Sequence, residues 1–191
     1  MTFSHQQSAH CESGVMSSLL TNAGFAISEP MVFGLSSALA FAYLPIIKLN
    51  GMPLIAYRMP PKHIINTLNK RLGLAIQTQR FSNAAAGQQA LDQALAQQQA
   101  VGLQTSVFWL PYFPAEMRFH FNAHNLLVYG KAQDNYLISD PVFEDVVQCD
   151  AAALTKARFA KGALAPKGLM YTLGNTPAEP NWPRLIRQSI K

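Results

Sequence analysis

Apolar and polar positions alternate with a clear period at the start of the chain. Val15, Met16, Leu19, Leu20 and Ala23 recur at helical spacing, and Gly24 supplies the left-handed residue that commonly ends a helix. The spacing predicts a first helix that begins at or just after Cys11. Ser28-Glu29-Pro30 combines a capping hydroxyl with a proline suited to a first turn. A second helix is expected from there through Met31, Val32 and Phe33 into the small-residue stretch Gly34 to Ala40. A short apolar run, Pro53 to Tyr57, is followed by a predicted helix from Pro61 to Leu72 that closes at Gly73. Leu74 to Phe81 alternates as a strand would, and Asn83 to Gln99, though rich in alanine and glutamine, keeps an apolar face through Leu91 and Leu95 and reads as a long helix.

From Val101 the period changes to that of strands. Val101 to Leu110, Arg118 to Gly130 and Tyr136 to Asp140 are the expected strands, with turn chemistry from Lys131 to Asn135 joining the last two as a hairpin. Val146 to Gln148 is expected to add an edge strand, Asp150 to cap a helix over Ala151 to Phe159, and Leu169 to Leu173 to form a last strand. Helices followed by antiparallel strands give an α+β domain, expected over residues 1–175, with 176–191 as a tail or the start of a further region.

Composition narrows the setting. The chain has 191 residues, of which 49% are apolar, enough for one domain with a substantial core. Two cysteines are too few for a disulfide framework, and nothing in MTFSHQQSAHCES resembles an export signal, so a reducing, cytoplasmic setting is expected. Pro30 to Ile47 contains no charged residue, but two prolines, Gly34 and Ser36-Ser37 interrupt it, and it reads as buried core rather than a membrane span. The net charge of +5 is spread along the chain and thickens only after Lys156. Without a basic stripe interleaved with aromatics, nucleic acid is not an expected partner, whereas an acidic protein such as a carrier protein is compatible.

The candidate chemistry centres on Cys11. A cysteine at a helix N-terminus faces unpaired backbone N–H groups and the positive end of the helix dipole, both of which favour thiolate. An imidazole that takes its proton completes the activation. Of the five histidines, His120 and His124 are expected on one strand, and His124 is followed by a hairpin whose return strand ends at Asp140. If the turn lies at Lys131 to Asn135, Asp140 comes back to the level of Leu126 or His124, where a carboxylate would fix the ring's tautomer and stabilise the imidazolium. Cys11, His124 and Asp140 are the candidate triad. His5, His10 and Cys11 match no standard metal spacing, no cofactor is expected, and Cys149 reads as a small apolar residue.

The strings HCESGVMSSLL, SEPMVFGLSSALAF, AHNLLVYG and ISDP together resemble the N-terminal domain of the butirosin biosynthesis protein H family, over about His10 to Leu173. The resemblance implies a papain-like cysteine-protease fold related to C39-type peptidases, with Cys11 as nucleophile, His124 as base and Asp140 as orienting carboxylate. It also implies acyl transfer from an acyl carrier protein thioester to a small amine acceptor. In papain-like enzymes a glutamine upstream of the cysteine completes the oxyanion hole, which makes Gln6 and Gln7 the candidates here. Asn125 stands where an aromatic or histidine is more usual, and because family members usually carry a longer C-terminal region, the sequence is expected to be either a fragment or a short member. A peptidase or amidase on the same triad and a binding module with a degenerate site are the competing expectations.

Overall fold

The computed structural model describes residues 3–49, 51–177 and 179–190. Helix α1 (Cys11–Asn22) and α2 (Glu29–Leu35) come first, followed by the strands β1 (Leu39–Leu49) and β2 (Met52–Arg58), helix α3 (His63–Leu72), β3 (Gln77–Gln79) and α4 (Ala84–Ala96). The second half holds β4 (Val101–Thr105), β5 (His124–Ala132), β6 (Asn135–Ser139), β7 (Val147–Asp150), α5 (Ala151–Arg158), β8 (Met170–Thr172) and α6 (Trp182–Ile190).

Six strands form one antiparallel sheet in the order β3-β8-β4-β5-β6-β7. Strand β5 lies inside it, and its side chains alternate between two cores. Leu127 joins Val15, Met16 and Leu68 of the α1–α3 side, whereas Leu126 and Val128 join Leu91 of α4 and Leu154 of α5 on the other. The papain-like arrangement expected from the sequence is thus present: a helical half against a sheet covered on both faces.

The hairpin between β5 and β6 is tighter than its turn chemistry suggested. Ala132 pairs with Asn135, leaving Gln133 and Asp134 as the turn, with Gln133 at φ 55°. A bulge between Val128 and Gly130 shifts the register so that Leu127 faces Ser139, and Asp140 comes directly after.

Elsewhere the elements differ from expectation. The helix from Ser28 stops at Leu35, because Ser36 turns its hydroxyl onto Phe33 O at 2.8 Å and Ser37 takes φ 51°. The chain then turns to strand: Leu39 to Leu49 carries the alternating aromatic and branched residues of β1, which pairs with β2 as a separate two-stranded arm. Of the run from Pro30 to Ile47 expected in the core, the part up to Ala38 buries Val32, Leu35 and Ala38, but the part on β1 is exposed, with Phe41 and Ile46 at 74% and 95% exposure. Strand character also covers less of Leu74 to Phe81 and of Arg118 to Gly130 than alternation implied, since β3 keeps only three residues and β5 starts at His124. His120 therefore precedes the strand, where its exposed ring stacks on Phe108 at 4.0 Å.

The tail folds back as a helix. Amphipathic α6 buries Leu185 against the helical half, Trp182 stacks on Phe25 at 6.2 Å, and Arg71 of α3 donates to the carbonyls of Leu35 and Gln188, clamping α2 and α6 together.

Candidate active site

Cys11 is the first residue of α1. The residue before it, His10, is the N-cap: its Nδ1 accepts from Ser13 N at 3.4 Å, so the ring must be neutral at that nitrogen to hold the helix end. Burial, then the nearby charge of Arg58, pull the His10 pKa down to about 4, which keeps it in that neutral form. Glu12, 4% exposed, accepts from Lys62 N at 2.9 Å and Ile65 N at 3.1 Å and so caps α3. Those interactions anchor α1 from both sides of the cysteine.

His124 opens β5, and Asp140 lies just past the end of β6. Both are buried, and His124 Nε2 meets Asp140 Oδ2 at 2.7 Å. Cys11 and His124 act on each other electrostatically: the imidazole favours the thiolate and the thiol favours the imidazolium, while the same ring is held by the carboxylate. The three groups singled out in the sequence stand side by side.

Asp140 has further partners that the sequence does not disclose. Tyr112 donates its hydroxyl to the same Oδ2 at 2.8 Å, and Val142 N donates to Oδ1 at 3.1 Å. Together with His124 these donors fix the orientation of the carboxylate. Tyr112 is one aromatic among several in its stretch of sequence, and only its hydroxyl distinguishes it from a core residue.

Burial by itself would push His124 down, but the Asp140 charge and hydrogen bond, together with the thiol's smaller contribution, lift it to about 10. For Cys11 burial works upward, and it is outweighed by the His124 hydrogen bond and charge, the backbone N–H of Asn125 and the charge of Arg58; the net effect is below an ordinary thiol. Both shifts point to a thiolate–imidazolium pair. Cys149 is the contrast: burial, then the adjacent Asp150 charge, push it up to about 12.

Asn125 stands out in the sequence only as a departure from pattern. Its backbone N–H favours the Cys11 thiolate, while its side chain accepts from the Tyr171 hydroxyl at 3.0 Å and donates to Ala123 O at 3.2 Å. Gln7 donates to Val142 O at 3.0 Å and Gln6 is exposed, so neither glutamine is engaged with the cysteine.

That same segment ties the nucleophile's helix to the carboxylate's turn. His5 bridges Ser139 Oγ at 2.7 Å and Phe143 O at 3.0 Å, and Ser8 N donates to Pro141 O at 2.8 Å. Gly14 of α1 packs so closely here that a Cβ would come within 2.7 Å of Ser8 Cβ and 2.9 Å of Pro141 Cβ. His5 is thus a fastening, not part of a metal set, and among the described residues no group of three or more His, Cys, Asp or Glu is placed to hold a metal.

The thiol opens onto a depression of about 20 Å³ bordered by His10, Arg58, Met59, Pro61 and Asn125. Arg58 and Met59 come from the root of the β1–β2 arm, a contribution that no spacing in the sequence predicted. No helix among the described residues is long and apolar enough to cross a membrane.

A sequence model described as butirosin biosynthesis protein H, N-terminal, matches residues 10–141. Among solved structures, a C39-like peptidase from Bacillus anthracis superposes with a TM-score of 0.66 at 11% identity, covering 92% of this chain and 96% of that one. The peptidase domain of Streptococcus ComA, a bi-functional ABC transporter involved in quorum sensing, superposes with a TM-score of 0.53 at 14% identity, covering 93% of this chain and 100% of that one. At these identities the likeness is one of fold. No curated protein matches the chain.

Proposed function

Because the chain belongs to the butirosin biosynthesis protein H, N-terminal family, we propose that it is a cysteine-dependent acyltransferase that moves an acyl group from a carrier-protein thioester to an amine. The observation that carries the reading is Cys11 beside the buried His124–Asp140 pair, in which the thiol is pulled below its ordinary pKa and the imidazole is raised to about 10.

The reaction proceeds from that charge state. Cys11 thiolate attacks the thioester carbonyl carbon, the C–S bond to the carrier breaks, and the departing thiolate takes the proton from His124. The acyl group is then a thioester of Cys11. His124, now neutral, accepts a proton from the attacking amine, an amide bond forms, and Cys11 leaves as thiolate beside a restored imidazolium. Asp140 does not change protonation; it holds the ring and balances its charge. The oxyanion formed in each step lies against the backbone N–H of Cys11, at a helix end where that group has no intrahelical partner. With Gln7 committed to Val142, the side chain that papain-like enzymes use as second donor has no evident equivalent in Gln6 or Gln7.

A peptidase or amidase uses the same first step on an amide and ends with water, and the likeness in fold to C39-type peptidases favours it as the second reading. The test is iodoacetamide labelling of Cys11 from about pH 5 to 9, with Cys149 as internal control, and then mass spectrometry of the protein after a thioester is added. Rapid labelling near pH 6 that weakens in His124→Ala, and a mass increase equal to the acyl group, are expected. Labelling that rises only through about pH 8.5, as for a free thiol, overturns both readings in favour of a binding module. Release of the acyl group to water alone, with amines present, favours the hydrolase.

A further inference from the structure

Beyond α5 the chain makes a loop whose backbone is unusually constrained. Gly162, Leu164, Lys167 and Gly168 take φ of 110°, 56°, 53° and 62°, and for Leu164 and Lys167 this is a conformation that side-chain-bearing residues avoid. Two buried amides hold it there. Gln104 Nε2 donates to Leu164 O at 3.0 Å, and Asn122 Nδ2 donates to Ala163 O at 2.8 Å and Lys161 O at 3.3 Å. The ends are fixed as well, by Phe81 N on Lys167 O at 3.2 Å and Gly168 N on Arg158 O at 3.0 Å. A strained loop fastened by side chains that are 5% and 4% exposed is a presented surface, not slack between elements.

It presents positive charge. A cavity of about 660 Å³ lies between this loop and the Arg80–Ser82 segment, lined by Arg80, Lys161 and Lys167 and by the rings of Phe81 and Phe159. Lys62 feels the same charges: burial first and then the charge of Arg80 lower its hold on its proton, Glu12 opposes them, and Lys167 adds a smaller lowering effect. Glu12 is already engaged by the N–H groups of Lys62 and Ile65. Among the described residues the ion pairs are His124–Asp140 and Lys131–Asp92, and none involves these four cations. Like charges gathered without a counter-charge repel, and an anion placed among them turns that repulsion into attraction.

We propose that this pocket binds a phosphorylated small molecule, with its phosphate held by Arg80, Lys161 and Lys167 and its apolar or ring portion against Phe81 and Phe159. Lys and Arg together supply the point charge and the forked donors that phosphate oxygens accept. The pocket's role in holding the phosphorylated arm of a thioester donor rests on the acyl-transfer reading; the binding itself does not.

The experiment is titration of the full chain with inorganic pyrophosphate and with ADP, monitored by isothermal calorimetry and by the thermal unfolding midpoint. The comparison proteins are the Lys161→Ala/Lys167→Ala double variant and Lys70→Ala, a lysine of α3 outside the pocket. Saturable binding of both probes, tighter for ADP, at least tenfold weaker in the double variant and unchanged in Lys70→Ala, is expected. Both lysines are exposed, and unchanged Cys11 labelling in the double variant certifies that it is folded. Absence of a pyrophosphate response, equal responses in all three proteins, or retention of a single-stranded oligonucleotide without any pyrophosphate response overturns the proposal. Binding as expected with an unreactive Cys11 leaves the pocket standing and removes the transferase reading alone.

Discussion

At the scale of residues, the imidazole of His124 divides its work between a carboxylate and a thiol, and its titration sets where the pair exists. With the ring raised to about 10, acyl transfer is expected to persist through neutral pH and to fall as pH passes about 10, where the imidazolium is lost; a kcat/KM profile measures that limb. Tyr112 acts through Asp140. Tyr112→Phe leaves the carboxylate with one donor fewer, so its charge acts more strongly on His124 and the alkaline limb moves upward, by up to about two units given a charge-assisted bond of about 1.5–3 kcal/mol. A merely structural tyrosine would lower the rate without moving the limb. His10 titrates in the opposite sense. Its folded pKa of about 4 is below the unfolded value near ~6.5, so the unfolded chain binds the extra proton, and stability contributed by His10 is lost as pH falls from about 6.5 toward 4. Urea midpoints at pH 7 and pH 5 should differ in the wild type by more than in His10→Asn, which keeps a capping acceptor that does not titrate in this range.

At the scale of elements, α1 and the Asp140 turn are held at the closest distance their side chains permit. Gly14→Ala introduces a methyl group where Ser8 and Pro141 already stand, which should cost about 1–3 kcal/mol and lower the rate more than stability by separating Cys11 from His124. Chemical denaturation and turnover of the same variant separate the two effects. The β1–β2 arm lies at the other extreme. It pairs only with itself among the sheets, and an isolated two-stranded ribbon in water is marginal, so its amides should exchange with solvent well before those of β4 and β5. Hydrogen exchange read by peptide mass spectrometry checks this. The arm also marks where the sequence misleads. An uncharged run from Pro30 to Ile47 reads as buried because hydrophobicity reports what a chain avoids and not what it finally touches. By contrast the β5–β6 hairpin is legible, because a short turn between alternating runs leaves few registers in which both apolar faces stay covered.

At the scale of the whole molecule, the site is assembled from three places. Its nucleophile comes from the helical half, its base and carboxylate from the sheet, and its rim from the arm. The first two can be inferred from local signals, a cysteine at a helix start and a histidine one hairpin from an aspartate. The tyrosine on Asp140, the effect of the Asn125 N–H on the thiolate and the Arg58 rim depend on tertiary packing and have no local pattern to betray them. The closeness of α1 to the Asp140 turn also has a meaning in time. Cys11 emerges early in synthesis and Asp140 late, an interval on the order of ten seconds at ordinary elongation rates. Through that interval the thiol lacks both the imidazole and the carboxylate that activate it, and it behaves as any cysteine would. Nascent and misfolded chains are therefore chemically quiet, and the appearance of a fast-reacting thiol times the moment at which the two halves of the protein meet.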